Sequence, residues 1–474
     1  MTSCGLACQT VTGRDTVPQA VPRPIAPNDL TLDPAPDTWA ALLQTPAADE
    51  RTRRFRAQLG LPTDRPIVMS GHQVQFWHPG ILAKLIAANE LAERTGAAVA
   101  WMLVDHESPS PSSLHFPAID PTGRFRVRGR TLDPTDNQRA LSGPTFDPQA
   151  PELHAGWSPE ASVASRLDTL VEAVRAQRSA GDKGAQLTEA QFEQLAPVTP
   201  PPVTLRVTDI ARTDLFAELI EQLQRDPAAA HAAYNDAVAQ HPESGMRPLA
   251  EDPEWGVELP LWVRTGAQHR PAFDRRDLPA SSDIHADRFI PRALLSTGLM
   301  RLAGCDLFIH GFGGQRYEPV NDAWLAHWTN SPIKAGPAPF VAASADLRLE
   351  LQGDTVTEAD AARARWHAHH ARHHPAAFND HAAQRERDRL VADISEAPRD
   401  SERRRTLFAE LHALLDTARS AHAAELTSLD ERGADLAQAA RETNIRTRRD
   451  WPAVLYPAAQ LAALQAAIAA AFDA

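Results

Sequence analysis

Residues 67–107 alternate short apolar runs with polar clusters. They read IVM, then SGHQ, then HPG and an apolar stretch of helical spacing, then AAVAWMLV and DHE. Ile67-Val68-Met69 is too short for a helix and reads as a strand. Ile81, Leu82, Leu85, Ile86 and Leu91 mark one helical face, with Pro79 suited to the first turn and Gly96 to the stop. Residues 97–104 read as a second strand. Strand, polar loop, helix, strand is the pattern of a parallel βαβ unit. In a parallel sheet the loops after the strand C-termini meet at one edge, where ligands bind. Gly71, His72, Gln73, His78 and Gly80 are therefore expected to share a pocket with Asp105, His106 and Glu107. For DHE alone, a solvated loop with a helix cap stays open as an alternative.

A second unit follows at residues 306–328, DLFIHGFGGQRYEPVNDAWLAHW. Leu307-Phe308-Ile309 reads as a strand, residues 310–314 as a glycine-rich turn, and residues 320–328 as the beginning of a helix. Glycines at such a turn permit positive φ and close backbone approach. Free N–H groups at the helix start can hold an anion. His310, Gly313, Gly314 and Asn321 are candidates for contacting a second ligand. The turn is neither a Walker A sequence nor a dinucleotide fingerprint, and a purely structural turn remains open.

The pattern elsewhere divides the chain. Residues 1–60 are a proline-rich extension followed by a helix over 38–59. Residues 61–130 hold the first part of the core and end in an exposed strand, RFRVRGRTL. Residues 131–260 form an inserted connecting region, partly helical, with a short strand at 203–207. Residues 261–350 return to the core and include a helix over 288–302. Residues 351–450 are rich in Ala, Arg, Glu and His and read as a helical hairpin or coiled coil broken at Pro398, a candidate surface for a homodimer. Residues 451–474 form a C-terminal helix. The expected fold class is α/β, a Rossmann-like parallel-sheet core with inserted segments and a long α-helical coiled-coil arm.

Composition narrows the function classes. The chain has 474 residues, 43% of them hydrophobic, enough for a large core. A formal net charge of −13 excludes the global basic field of a general nucleic-acid binder. Only three lysines occur, and of these Lys84 alone lies near the expected pocket. Cys4 and Cys8 have CxxxC spacing without nearby partners, so neither a tightly bound metal nor a disulfide framework is expected. His367, His369, His370, His373 and His374 allow a Zn²⁺ pair at helical spacing. With no carboxylate at ligand spacing, a solvated helix face is the preferred reading. The first thirty residues lack the features of a signal peptide, and no apolar stretch reaches membrane-span length. A cytoplasmic protein acting on small molecules, without nucleic-acid or membrane partners, is expected.

The segments MSGHQVQFWHPGILAKLIAANELA, AVAWMLVDHE and FIHGFGGQRYEPVNDAWLAHW resemble the cysteine-adding enzyme family of bacillithiol synthesis, cysteine ligases. There the pattern is Gly-Gln-Gln, a Gly-Pro helix start, and a second strand ending in Trp-x-Asp-His-Asp. Gly71-His72-Gln73 and Asp105-His106-Glu107 take the corresponding places here. His72 replaces a Gln, Glu107 replaces an Asp, and Lys84 is shifted relative to the family's helix lysine. The resemblance follows most of the chain in order, with sharp matches over about a sixth of it. It implies condensation of the cysteine carboxyl with the amine of an amino-sugar conjugate, activated by ATP with Mg²⁺. The core also resembles nucleotidyl-transferring folds, in which an H-x-G-H sequence holds ATP phosphates. Residues 78–81 keep its first His and its Gly but not the second His.

On this reading His72, Asp105, His106 and Glu107 are the expected catalytic residues. Gly71, Gln73, His78, Gly80, Lys84, His310, Gly313, Gly314 and Asn321 are the expected substrate or nucleotide contacts. Two alternatives remain: a nucleotidyl or acyl transferase of the same fold acting on another substrate, and a non-catalytic scaffold whose helical arm binds a partner.

Overall fold

A computed structural model describes residues 29–43, 49–106, 111–133, 141–149, 156–265, 268–278, 286–328 and 336–474. Glu107, Cys4 and Cys8 lie outside the described residues. The fold is mixed α/β, built on a six-stranded sheet. Its strands are β1 (Leu30–Asp33), β2 (Ile67–Gln73), β3 (Ala98–Val104), β6 (Val203–Arg206), β10 (Leu307–His310) and β11 (Phe340–Ala345). The hairpin β4 (Ser113–Ile119) and β5 (Phe125–Thr131) lies between β3 and β6. The antiparallel group β7 (Gly256–Thr265), β8 (Gln268–Phe273) and β9 (Phe289–Pro291) lies between β6 and β10. In space the main sheet runs β1-β11-β10-β2-β3-β6. β1 is antiparallel to β11, and every other neighbouring pair is parallel.

Alternation along the strands feeds two cores. Val68, Trp101, Leu103, Leu307, Ile309, Val341 and Ala343 join one apolar cluster. Ile67, Met69, Ala100, Met102, Leu205 and Phe308 join the other. Successive side chains point to opposite faces of a strand, so a parallel sheet buried on both faces needs apolar residues at nearly every position. The helices fall into the same two groups. α2 (Pro79–Thr95), α3 (Ala161–Ala176), α4 (Lys183–Leu195) and α13 (Ala458–Phe472) cover the first face. α1 (Glu50–Gln58), α5 (Asp214–Arg225), α6 (Pro227–Gln240), α7 (Leu294–Leu299) and α8 (Phe312–Trp328) cover the second. Helix α2 follows the expected start and stop. Pro79 occupies its first turn, and Gly96 ends it with φ +73°.

The arm is an antiparallel helical hairpin. α9 (Glu358–Ala371) and α10 (His381–Glu396) ascend; α11 (Glu402–Ala421) and α12 (Ala423–Arg446) return. Pro398 lies in the turn between α10 and α11, as expected. Gly433 of α12 lies against Arg365 of α9, and Arg372 pairs with Asp430. Phe378 stacks on His422 at 4.7 Å.

Five expectations change. Residues 30–33, read as part of an extension, form edge strand β1 of the main sheet, and residues 203–206, read as part of an insertion, form its opposite edge, β6. The helix expected over 38–59 is two helices, Trp39–Leu42 and α1, with residues 44–48 outside the described set. The helix expected over 288–302 opens instead with strand β9, where Ile290 pairs with Trp262 of β7. Pro291, which has no N–H to donate, is tolerated at the strand end. The turn expected at 310–314 is shorter, because α8 already begins at Phe312 and carries Pro319 internally.

Candidate functional site

The strand order places a switch point between β2 and β10. The chain leaves β2 toward β3 and leaves β10 toward β11, so the two connections diverge. Ligands of open parallel sheets bind in this crevice, beyond the strand C-termini. His72 and Gln73 end β2, and His310 ends β10. Gly71 has no room for a side chain: a Cβ there would lie 2.6 Å from Met102 O.

Lys84 is the hub of this crevice. It reaches from α2 to donate a hydrogen bond from Nζ to Gly71 O at 2.6 Å, and it lies 5.1 Å from the Trp101 ring centroid. Only 5% of it is exposed. Burial holds its amine down at about 7. Three imidazoles feel its charge: His72, His78 and His310. Burial first, and Lys84 second, push His72 down to about 3. These rings are neutral at physiological pH.

His78 is the N-cap of α2. Its Nδ1 accepts the Gly80 N–H at 3.1 Å, and its carbonyl accepts the Ile81 N–H at 2.9 Å. Pro79 has no N–H, so the first turn is closed by its own cap. An anion expected at Gly80 would have to displace that cap. The glycine is explained by packing instead: a Cβ would lie 2.8 Å from the His78 ring and 2.9 Å from Ser344 Oγ.

His310 is oriented by a buried charge network. Its Nε2 lies 3.0 Å from Glu318 Oε1. The other Glu318 oxygen pairs with Arg301 and accepts from Asn321 Nδ2 at 3.1 Å. Arg301 also reaches Asp322 at 2.8 Å and Ala338 O at 2.7 Å. Burial alone would raise the Glu318 carboxyl, but His310 and Arg301 outweigh it and bring it to about 2. Burial lowers His310, so the pair is a carboxylate facing a neutral ring. Gly314 makes room for that ring; a Cβ would lie 2.1 Å from His310 Nδ1. Gly313 faces open space. Asn321 is fully buried within the network and also donates to Thr297 Oγ1 at 3.2 Å.

Asp105 and His106, after β3, are engaged elsewhere. Asp105 accepts the Thr208 N–H at 3.1 Å and the Thr208 hydroxyl, which ties the end of β3 to the one-turn helix Val207–Ile210 after β6. Burial raises the Asp105 carboxyl, and the Thr208 bonds oppose it. The His106 ring meets His269 edge-on at 5.7 Å, and His269 meets Trp262 at 4.6 Å. The structure therefore brings His72, His78, Lys84 and His310 into one electrostatic group and sets Asp105 and His106 against β6 and β8. A cavity of about 480 Å³ beside β6 is lined in part by Leu103, Glu189, Phe192, Arg206 and Asp209.

Sequence reasoning missed Glu318, Arg301 and Thr208. Thr208 comes from a segment remote from the motifs, and Arg301, five residues before the second motif, carries no local pattern. Glu318 was visible inside the quoted motif, four residues past Gly314. Among the described residues no group of three or more His, Cys, Asp or Glu side chains is set to hold a metal ion. On the arm, Trp366 stacks on His370 at 4.8 Å, and His370 stacks flat on His374 at 3.8 Å. Those two imidazoles lie face to face rather than converging on one point. No helix among the described residues is long and apolar enough to cross a membrane. No family model matches the chain, and no curated protein matches it.

Proposed function

We propose that this chain is a cytoplasmic ligase joining the carboxyl of cysteine, or of a related amino acid, to the amine of an amino-sugar conjugate in synthesis of a bacillithiol-like thiol. The observation that carries the reading is Lys84, a buried amine at the switch point, ringed by His72, His78 and His310. The GHQ and DHE motifs, and their likeness to the cysteine-adding family, supply the substrate class. In the same reading the sheet is a Rossmann-like core and the hairpin a coiled coil through which two copies pair.

A condensation must neutralise a carboxylate, hold an amine and take up its proton. The crevice offers donors for the first task in Gln73 and His78. For the last it offers Lys84, whose amine accepts a proton near neutral pH. His106 borders the same edge and orients the attacking amine. The cavity beside β6 has room for the second substrate. ATP would supply carboxyl activation, and N–H donors at the crevice would hydrogen-bond its phosphates. Asp105 after β3 and Glu318 in α8 are already engaged, Asp105 by Thr208 and Glu318 by Arg301 and Asn321. Mg²⁺ would therefore arrive with the nucleotide.

The test is product mass spectrometry on purified protein given cysteine, ATP, Mg²⁺ and glucosaminyl malate. A mass gain equal to condensation with cysteine is expected, and His106→Ala should cut its rate at least about a hundredfold without unfolding the protein. No product with the nucleotide untouched would reject the ligase. A nucleotidyl or acyl transferase on another substrate is the second reading, favoured by His72 where the family has Gln.

A further inference from the structure

The arm delivers a basic residue to the crevice where it rejoins the core. Ala453 N–H donates to Trp77 O at 2.6 Å. Trp451 is fully buried in the same apolar cluster as Trp77. Residues 449 and 450 precede this anchor at Ala453 by four and three positions, His78 follows Trp77 directly, and the charges of both residues act on the His78 ring. Arg449 is exposed and makes no hydrogen bond or ion pair with another described residue. Its neighbours are already paired: Arg448 Nη2 lies 2.9 Å from Asp450 Oδ2, so the Asp450 charge is offset. His78, for its part, uses Nδ1 to cap Gly80 at 3.1 Å. A neutral ring bound that way carries its proton on Nε2 and has one donor left.

We propose that Arg449 and the Nε2–H of His78 form a two-point clamp for a compact oxyanion, a phosphoryl or carboxylate group of the ligand. The clamp rests on reading the strand ends as the binding site, and it does not depend on the ligase assignment. A guanidinium fork binds such groups with two parallel charge-assisted hydrogen bonds, and a fixed imidazole N–H adds a third donor. Because Arg449 belongs to the arm's return and His78 to the start of α2, a bound anion ties the arm's base to the sheet.

Calorimetric titration of the full chain at low salt tests this, with inorganic pyrophosphate and malonate as separate probes. Saturable one-to-one binding of at least one probe is expected. Arg449→Gln should weaken it about tenfold, and Arg449→Lys less, because lysine keeps the charge without the fork. His78→Asp keeps a good helix cap but is acceptor-only, and should also weaken binding. The tighter probe identifies the source, phosphoryl or carboxylate. Unchanged affinity in Arg449→Gln overturns the clamp, as does the absence of binding of both probes to the wild-type chain. These titrations need no turnover. Missing product with the clamp intact would therefore reject the ligase alone.

Discussion

Lys84 and His72 are bases whose protonated forms are disfavoured by burial, and this sets how stability responds to pH. The Lys84 amine falls from 10.5 in the unfolded chain to about 7 in the folded one. Between those values the unfolded chain holds a proton that the folded chain does not, so stability rises with pH by at most about 1.4 kcal/mol per unit. His72 acts in the same direction between about 3 and 6.5. Lys84→Met should therefore stabilise the protein most below pH 7, with the gain shrinking toward pH 10.5. Urea unfolding at pH 6.5, 8.5 and 10.5 checks it, and a gain independent of pH would mean that Lys84 is protonated in the fold. His72→Gln should flatten the acid limb between pH 4 and 6.5. His72 and His310 were legible as polar residues at strand ends, and His78 as the polar residue before the helix start. That Lys84 unites them was not, because its role depends on Nζ reaching back across the first turns of α2 to Gly71 O.

At the level of elements, two glycines and one carboxylate show what the motifs are for. Gly314 lies one turn into α8 to admit the His310 ring. Gly314→Ala should displace that ring and cost about 1–3 kcal/mol, read by urea unfolding. Replacement at Gly313, which faces open space, should cost far less. Glu318→Gln should be severe. It leaves the Arg301 guanidinium, 3% exposed, without its main counter-charge. A loss of about 3–5 kcal/mol is expected. Elements whose pattern is local, such as α2 with its Pro79 start and Gly96 stop, could be read directly from the chain. β9 could not: three residues beyond Pro291 the helix α7 begins, and only pairing of Ile290 with Trp262 makes the preceding residues a strand.

The whole molecule joins a sheet to a hairpin arm, and the arm carries exposed apolar side chains. Trp366 on α9, 57% exposed, and Val391 on α10 and Phe408 on α11 line its surface. Phe408 and Val391 lie near the small cluster of Leu390, Ile394, Ala397 and Leu407 at the hairpin tip. If two copies pair through the arm, sedimentation velocity should show a dimer that Phe408→Glu together with Val391→Glu converts to monomer. A wild-type monomer across the accessible concentration range would reject that pairing. Hydrophobic periodicity alone determined the α/β class, the βαβ unit, the helical hairpin and the residues at the strand ends, because these follow from contacts within a few turns or one strand. Tertiary structure decided which strand ends adjoin, since strand order is set by packing between segments hundreds of residues apart. It placed β2 beside β10 rather than leaving β3 as the partner of the site. It turned Asp105 toward Thr208 and brought Arg449 to His78. Each of these is a long-range juxtaposition, fixed by burial of two apolar faces, for which no local sequence signal exists.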